Sequence, residues 1–93
     1  MKKITLFLFL LNVTFLFAQK EISGVVKDNA GSALPGVNVV EKGTSNGTST
    51  DVDGSYKITV KEGASLIFSY VGFTSVTKAA TGSVINVSLS EEG

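Results

Sequence analysis

Cysteine is missing from this 93-residue chain, and so are histidine, tryptophan and arginine. Each absence closes off a class of answers. Without cysteine there is no disulfide framework, no thiolate metal ligand and no residue to carry the lipid of an acylated lipoprotein. Whatever folds must therefore rest on its apolar core. Without histidine there is no imidazole ligand and no common base to activate a hydroxyl nucleophile. Without arginine, and with the lysines scattered singly, the clustered positive charge that holds nucleic acid or an anionic membrane surface is missing as well.

The residues that are present fall into two unlike parts. Met1-Lys2-Lys3 is a short basic segment, and an apolar run from Ile4 to Ala18, broken by Thr5, Asn12 and Thr14, follows it. A basic start, an apolar stretch and a small residue before a polar segment predict a secretory signal peptide over residues 1–18, cut after Ala18. The run is shorter than the roughly twenty residues that a transmembrane helix needs. Residues 19–93 then carry six lysines against eight acids, a net charge of −2.

Beyond Gln19 the apolar residues recur every second position. Tyr56, Ile58 and Val60 alternate with Lys57, Thr59 and Lys61, which describes a strand with one dry and one wet face. Ile22, Gly24 and Val26 alternate in the same way, as do Val37 and Val39, and Ile85, Val87 and Leu89. Leu66, Phe68 and Tyr70 have Ile67 and Val71 on the other face, so that strand is expected to be covered on both sides. Turn residues divide the runs: Asp28 to Gly31, Pro35-Gly36, Lys42-Gly43, Asn46-Gly47, Asp53-Gly54, Glu62-Gly63, Val71-Gly72 and Thr81-Gly82. Short alternating strands with turn signals between them predict an all-β sandwich of six or seven strands. Its expected core is Ile22, Val26, Val37, Val39, Tyr56, Ile58, Val60, Leu66, Phe68, Tyr70, Phe73, Val76, Ile85, Val87 and Leu89.

Chemistry-bearing constellations are sparse. Asp51-Val52-Asp53-Gly54 resembles the start of a calcium loop, but its glycine falls two places early and Ser55 stands at the third alternate position. It reads instead as a hairpin turn in which the Asp side chains accept from nearby backbone amides. Ser55 and Lys57 form no convincing nucleophile pair, since Lys57 belongs to the wet face. The carboxylates Glu21, Asp28, Glu41, Asp51, Asp53, Glu62, Glu91 and Glu92 all lie at strand ends, in turns or in the tail, where they are expected to solubilise. The hydroxyl run from Thr44 to Thr50 reads as a solvated hairpin rather than a sugar site. Asn46-Gly47-Thr48 and Asn86-Val87-Ser88 match a glycosylation sequon that matters only in a eukaryotic secretory pathway. No catalytic residue, metal site or cofactor is expected.

The order of these pieces resembles a known family. Ile22-Ser23-Gly24-Val25-Val26-Lys27-Asp28, then Leu34-Pro35-Gly36-Val37-Asn38-Val39, Lys42-Gly43-Thr44, Thr50-Asp51-Val52-Asp53-Gly54 and Phe68-Ser69-Tyr70-Val71-Gly72-Phe73 look like a carboxypeptidase regulatory-like domain. The variant is similar to the one at the front of SusC/RagA-type TonB-dependent outer-membrane transporters. The resemblance implies a seven-stranded transthyretin-like (prealbumin-like) β-sandwich over residues 19–90, with 91–93 starting a linker. Its turn motif would be Gly36, Gly47, Asp51, Asp53, Gly54 and Gly72. It implies a non-catalytic accessory domain at the periplasmic face of the outer membrane, a fragment of a longer transporter that binds the rest of that transporter or the TonB system. Strand addition at a sheet edge is one way it would bind. A stand-alone secreted adhesion or carbohydrate-binding module is the alternative. Transthyretin-like hydrolases share the architecture but rely on His and Arg, which are absent here.

Overall fold

A computed structural model describes residues 19–92, so the expected signal peptide lies outside the described residues. The described chain is all strand and turn. Its elements are β1 (Gln19–Asp28), β2 (Asn38–Glu41), β3 (Gly47–Ser49), β4 (Ser55–Lys61), β5 (Ser65–Ser69), β6 (Val76–Ala79) and β7 (Val87–Leu89). They form a three-stranded sheet in the order β4-β1-β7 and a four-stranded sheet in the order β3-β2-β5-β6. This is a small β-sandwich, as the period-two patterning predicts.

The long first strand organises one sheet. β1 runs antiparallel to β4, with Ile22 opposite Ile58 and Gly24 opposite Tyr56. Its far end runs parallel to β7, with Val26 opposite Val87. In the second sheet β2 is central, pairing antiparallel with β3 and with β5, and β6 adds to the outer side of β5. β4 shows the alternation most plainly, since Tyr56, Ile58 and Val60 are buried while Lys57, Thr59 and Lys61 are exposed.

Between the sheets lie Ile22, Val26, Leu34, Val37, Val39, Tyr56, Ile58, Val60, Leu66, Phe68, Ala80, Val87 and Leu89. The Tyr56 and Phe68 rings meet edge to face at 5.4 Å, an arrangement favoured by the aromatic quadrupole. Leu34 and Ala80 join the core although neither belongs to a periodic run. Tyr70, Phe73, Val76 and Ile85, expected inside, are only half-buried and pack against its margin. The double cover expected for β5 also fails. Ile67 is half-buried, and Val71 is 95% exposed because β5 ends at Ser69 and the chain turns away at Gly72, with φ +87°.

Backbone pairing continues past β7. Glu91 bridges Phe73, Thr74 N–H donates to Ser90 O at 2.8 Å, and Glu92 N–H donates to Gly72 O at 2.9 Å. The tail through Glu92 is thereby tied to the strand leading into β6.

Candidate docking surface

Five of the six turn-motif residues come together at one end of the sandwich. Gly36 has φ +80° and donates its N–H to Thr50 O at 3.0 Å, and a Cβ placed on it would stand 3.7 Å from the Tyr70 ring. Gly36 therefore sits between the turn after β3 and the turn after β5. Gly54 has φ +77°, and a Cβ there would fall 2.6 Å from Val26 O, so the position demands glycine twice over. Gly72 makes the turn that returns the chain to Phe73, whose N–H reaches Tyr70 O at 3.0 Å.

Asp51 accepts at Oδ1 from Asp53 N–H at 2.9 Å and from Ser55 N–H at 3.0 Å. Asp28 holds its own loop in the same way, accepting from Ala30 and Ser32 N–H at 2.9 Å each. These are Asx turns, which replace backbone partners with a side-chain oxygen. Asp53 stands exposed at the tip of its turn. Gly47 is elsewhere. It opens β3 opposite Val40, towards the other end of the sandwich, and the left-handed residue of that hairpin is Gly43, φ +82°.

Thr50 supports this end from below. Its buried hydroxyl accepts from Val37 N–H at 2.9 Å and donates to Leu34 O at 2.5 Å, satisfying two groups where the chain enters β2. In the sequence Thr50 reads as part of a solvated hydroxyl run, and nothing in its neighbours marks it out.

What this scaffold displays is apolar. Val52 is 84% exposed on the Asp51–Gly54 turn and Val71 is 95% exposed on the Tyr70–Phe73 turn. Asp51 and Asp53 flank Val52 in the chain, Glu91 and Glu92 pair with Phe73 and Gly72 beside Val71, and the segments 33–36, 50–54, 70–75 and 90–92 contain no lysine. Phe73 and Tyr70, on either side of the Val71-Gly72 pair, are 5.6 Å apart between ring centres and pack against the core. A depression of about 390 Å³ runs beside Val71, lined by Asn38, Ser69, Tyr70, Phe73, Ser75 and Glu92 among others. Exposed valines with acids beside each are suited to meeting an apolar patch with basic neighbours.

A depression of about 620 Å³ covers another stretch of surface and shares Asp51 with this end. It crosses the outer face of the three-stranded sheet and is lined by Ser23, Val25, Ser49, Ser55, Lys57 and Asn86 among others. It is shallow and rich in hydroxyls. Among the described residues no group of three potential ligands gathers closely enough to hold a metal ion.

Comparison with known proteins agrees with the fold. The family model described as CarboxypepD_reg-like domain matches residues 22–92. TonB-dependent receptor P39 of Formosa agariphila is 42% identical over 82 residues, which is 86% of this chain and 8% of the receptor. TonB-dependent receptor P3 of the same organism is 40% identical over 91 residues, 94% of this chain and 9% of the receptor. TonB-dependent receptor SusC of Bacteroides thetaiotaomicron is 43% identical over 58 residues, 61% of this chain and 6% of the receptor. The chain thus spans less than a tenth of the length of these curated relatives.

Proposed function

The chain belongs to the CarboxypepD_reg-like domain family, and from that premise we propose that it is the front sandwich of a TonB-dependent outer-membrane transporter. Residues 1–18 export it, and residues 19–92 form a non-catalytic module at the periplasmic face of the membrane. Its task is to dock against the rest of the transporter. The relatives at 40–43% identity support the transporter context.

The observation that carries the docking role is the pair Val52 and Val71. Both are held out in water by turns that Gly54, Gly72 and Asp51 fix. A small domain with an apolar core to fill gains nothing in stability from valines at 84% and 95% exposure. The sheet edges serve the role less well. On β6, Lys78 stands opposite Leu66, whose side chain faces the core, and an inward-facing lysine on an edge strand guards against strand addition.

Two experiments test this. Sequencing the locus past the codon for Gly93 supports the transporter reading if the frame runs on into a plug and amphipathic barrel strands, and an immediate stop sinks it. In the full-length protein, Val71 and Val84 can each be replaced in turn by a genetically encoded photo-crosslinking amino acid and irradiated in cells. Cross-links to the remainder of the transporter from position 71 and not from 84 support the docking face. Equal yield from both positions counts against it.

The hydroxyl-lined depression on the outer sheet face favours a second reading, a secreted carbohydrate-binding module. Binding of purified protein on a glycan array, lost on Ser23→Leu, would make that the better account.

A further inference from the structure

Asn46-Gly47 is a turn signal in the sequence, yet the turn lies earlier, at Lys42-Gly43, and Asn46 has another occupation. It sits where the β2–β3 hairpin meets the outer edge of β4. Its Nδ2 donates to Glu41 Oε1 at 3.1 Å and to Thr59 O at 2.7 Å. Glu41 Oε2 in turn accepts from Lys61 N–H at 3.1 Å. Thr59 and Lys61 turn these groups away from β1, because Val26 N–H bonds Gly54 O and the ladder alternates from there. The three contacts form a latch that fastens one sheet to the free edge of the other.

The next residue is a poised nucleophile. Glu41 N–H bonds Asn46 O, so the ladder bonds of this hairpin fall on pairs 41/46 and 39/48. Gly47 N–H therefore points away from β2 and takes no part in that ladder. Asn46 and Gly47 are both exposed, and Gly47 has no side chain to hinder attack.

We propose that Asn46 is a modification site, a deamidation site gated by this latch, and that its conversion unfastens the latch for good. Gly47 N loses its proton to hydroxide and attacks Asn46 Cγ, forming the N–C bond of a five-membered succinimide. Nδ2 takes a proton from water and leaves as ammonia. Water then opens the ring at either carbonyl, giving aspartate or isoaspartate, so that water is consumed and ammonia released with no change of oxidation state. Two acceptors hold Nδ2 in the closed latch, and Cγ is free to turn toward Gly47 N only when they let go. In the product an acceptor oxygen replaces the donor and faces both the Glu41 carboxylate and the Thr59 carbonyl. Neither contact can reform.

The test is to incubate the full chain in mildly alkaline buffer and to map aspartate and isoaspartate by peptide mass spectrometry. Asn29, Asn38 and Asn86 in the same molecule are the internal references. Asn46 is expected to convert several-fold ahead of all three, and Glu41→Ala, which removes one holder of Nδ2, to speed it several-fold further. If that variant fails to fold, sub-denaturing urea serves instead and is expected to accelerate position 46 in the wild type. Asn46→Asp copies the product. Its urea midpoint is expected to fall at neutral pH and to recover in acid, where one carboxyl of the pair can donate to the other. Conversion of Asn46 no faster than that of Asn38 and Asn86 overturns the site. An Asn46→Asp protein as stable as wild type at neutral pH, or a deficit unchanged by acid, overturns the latch.

Discussion

The two ends of this sandwich treat polar and apolar groups in opposite ways. At the Glu41 end a buried carboxylate and the amide of exposed Asn46 are each matched to a backbone partner on the facing sheet. At the Val71 end two valines are turned outward, Val52 at 84% and Val71 at 95% exposure. Folding alone accounts for the first arrangement, because a buried polar group is costly only when unmatched. It does not account for the second. The contrast separates residues that hold the domain together from residues the domain holds out, and substitutions at the two kinds of position should differ in what they damage.

The largest effect is expected midway between the ends. Ile85 N–H donates to Ser23 O at 2.8 Å, and Ile85 O then turns in to accept from Tyr56 Oη at 2.6 Å. A Cβ on Gly24 would fall 1.9 Å from that same Ile85 oxygen. Gly24→Ala therefore has to push backbone aside, at a cost of about 3 kcal/mol. A core this small supplies only about 3–5 kcal/mol, so the urea midpoint should collapse. An unchanged midpoint would show that the segment around Ile85 is free to move.

Next comes the base of the docking end. Thr50→Val keeps the shape and strands Val37 N–H and Leu34 O, two buried groups that the hydroxyl now satisfies. Each unsatisfied group costs about 1–3 kcal/mol. Equilibrium unfolding should show a loss comparable to that of Gly24→Ala. If it shows almost none, the turns at this end are not rigidly supported, and the contrast between the ends weakens.

The pH dependence sharpens the comparison from the other side. Hydrogen bonds from Asn46 and from Lys61 N–H hold the Glu41 carboxyl below its ordinary 4.5. A depressed carboxyl contributes stability above its unfolded value and loses it as the pH falls through the folded one. Acid should therefore loosen the latch below about pH 4.5, and Glu41→Gln should remove that part of the acid sensitivity. Burial raises the Tyr56 hydroxyl from 10.0 to about 12. Its contribution is complete below pH 10 and is lost as the pH rises toward 12. Tyr56→Phe should flatten that alkaline limb. Urea midpoints measured across pH check both.

Much of this architecture is legible in the residue pattern alone. The alternation at Tyr56, Ile58 and Val60 fixes a strand and its buried face, because a period of two has no other reading. Leu34 is not legible, since it lies in a turn beside Pro35 where no period exists to read. Gly24 falls in the right place in an alternating run, but the sequence gives no sign that Ile85 O approaches it. Glu41 reads as one of the solubilising acids at strand ends, yet it is buried there, because its partners are the Asn46 amide and the backbone N–H of Lys61, which no residue type announces. The turn motif is visible as punctuation, yet five of its six members gather only because Gly36 touches both the Thr50 and the Tyr70 turns. Sequence reports which residues can turn. Packing decides which turns meet.

The smallest effect on stability is the most informative about function. Val71→Ser removes a side chain that touches mostly water, so the unfolding free energy should change by no more than about 0.5 kcal/mol. Val52→Ser should behave alike, and the double variant should be additive in stability, because the two turns share no partner beyond Gly36. In cells the same double variant of the full-length protein should lose its cross-links to the transporter from a probe at position 53, whereas Val84→Ser, at a third exposed valine on the outer sheet face, should keep them. An intact fold that no longer cross-links would make the valines the docking residues. Should Val71→Ser destabilise the isolated chain by as much as Thr50→Val, its exposure would have misled, and the Val71 end would be as structural as the Glu41 end.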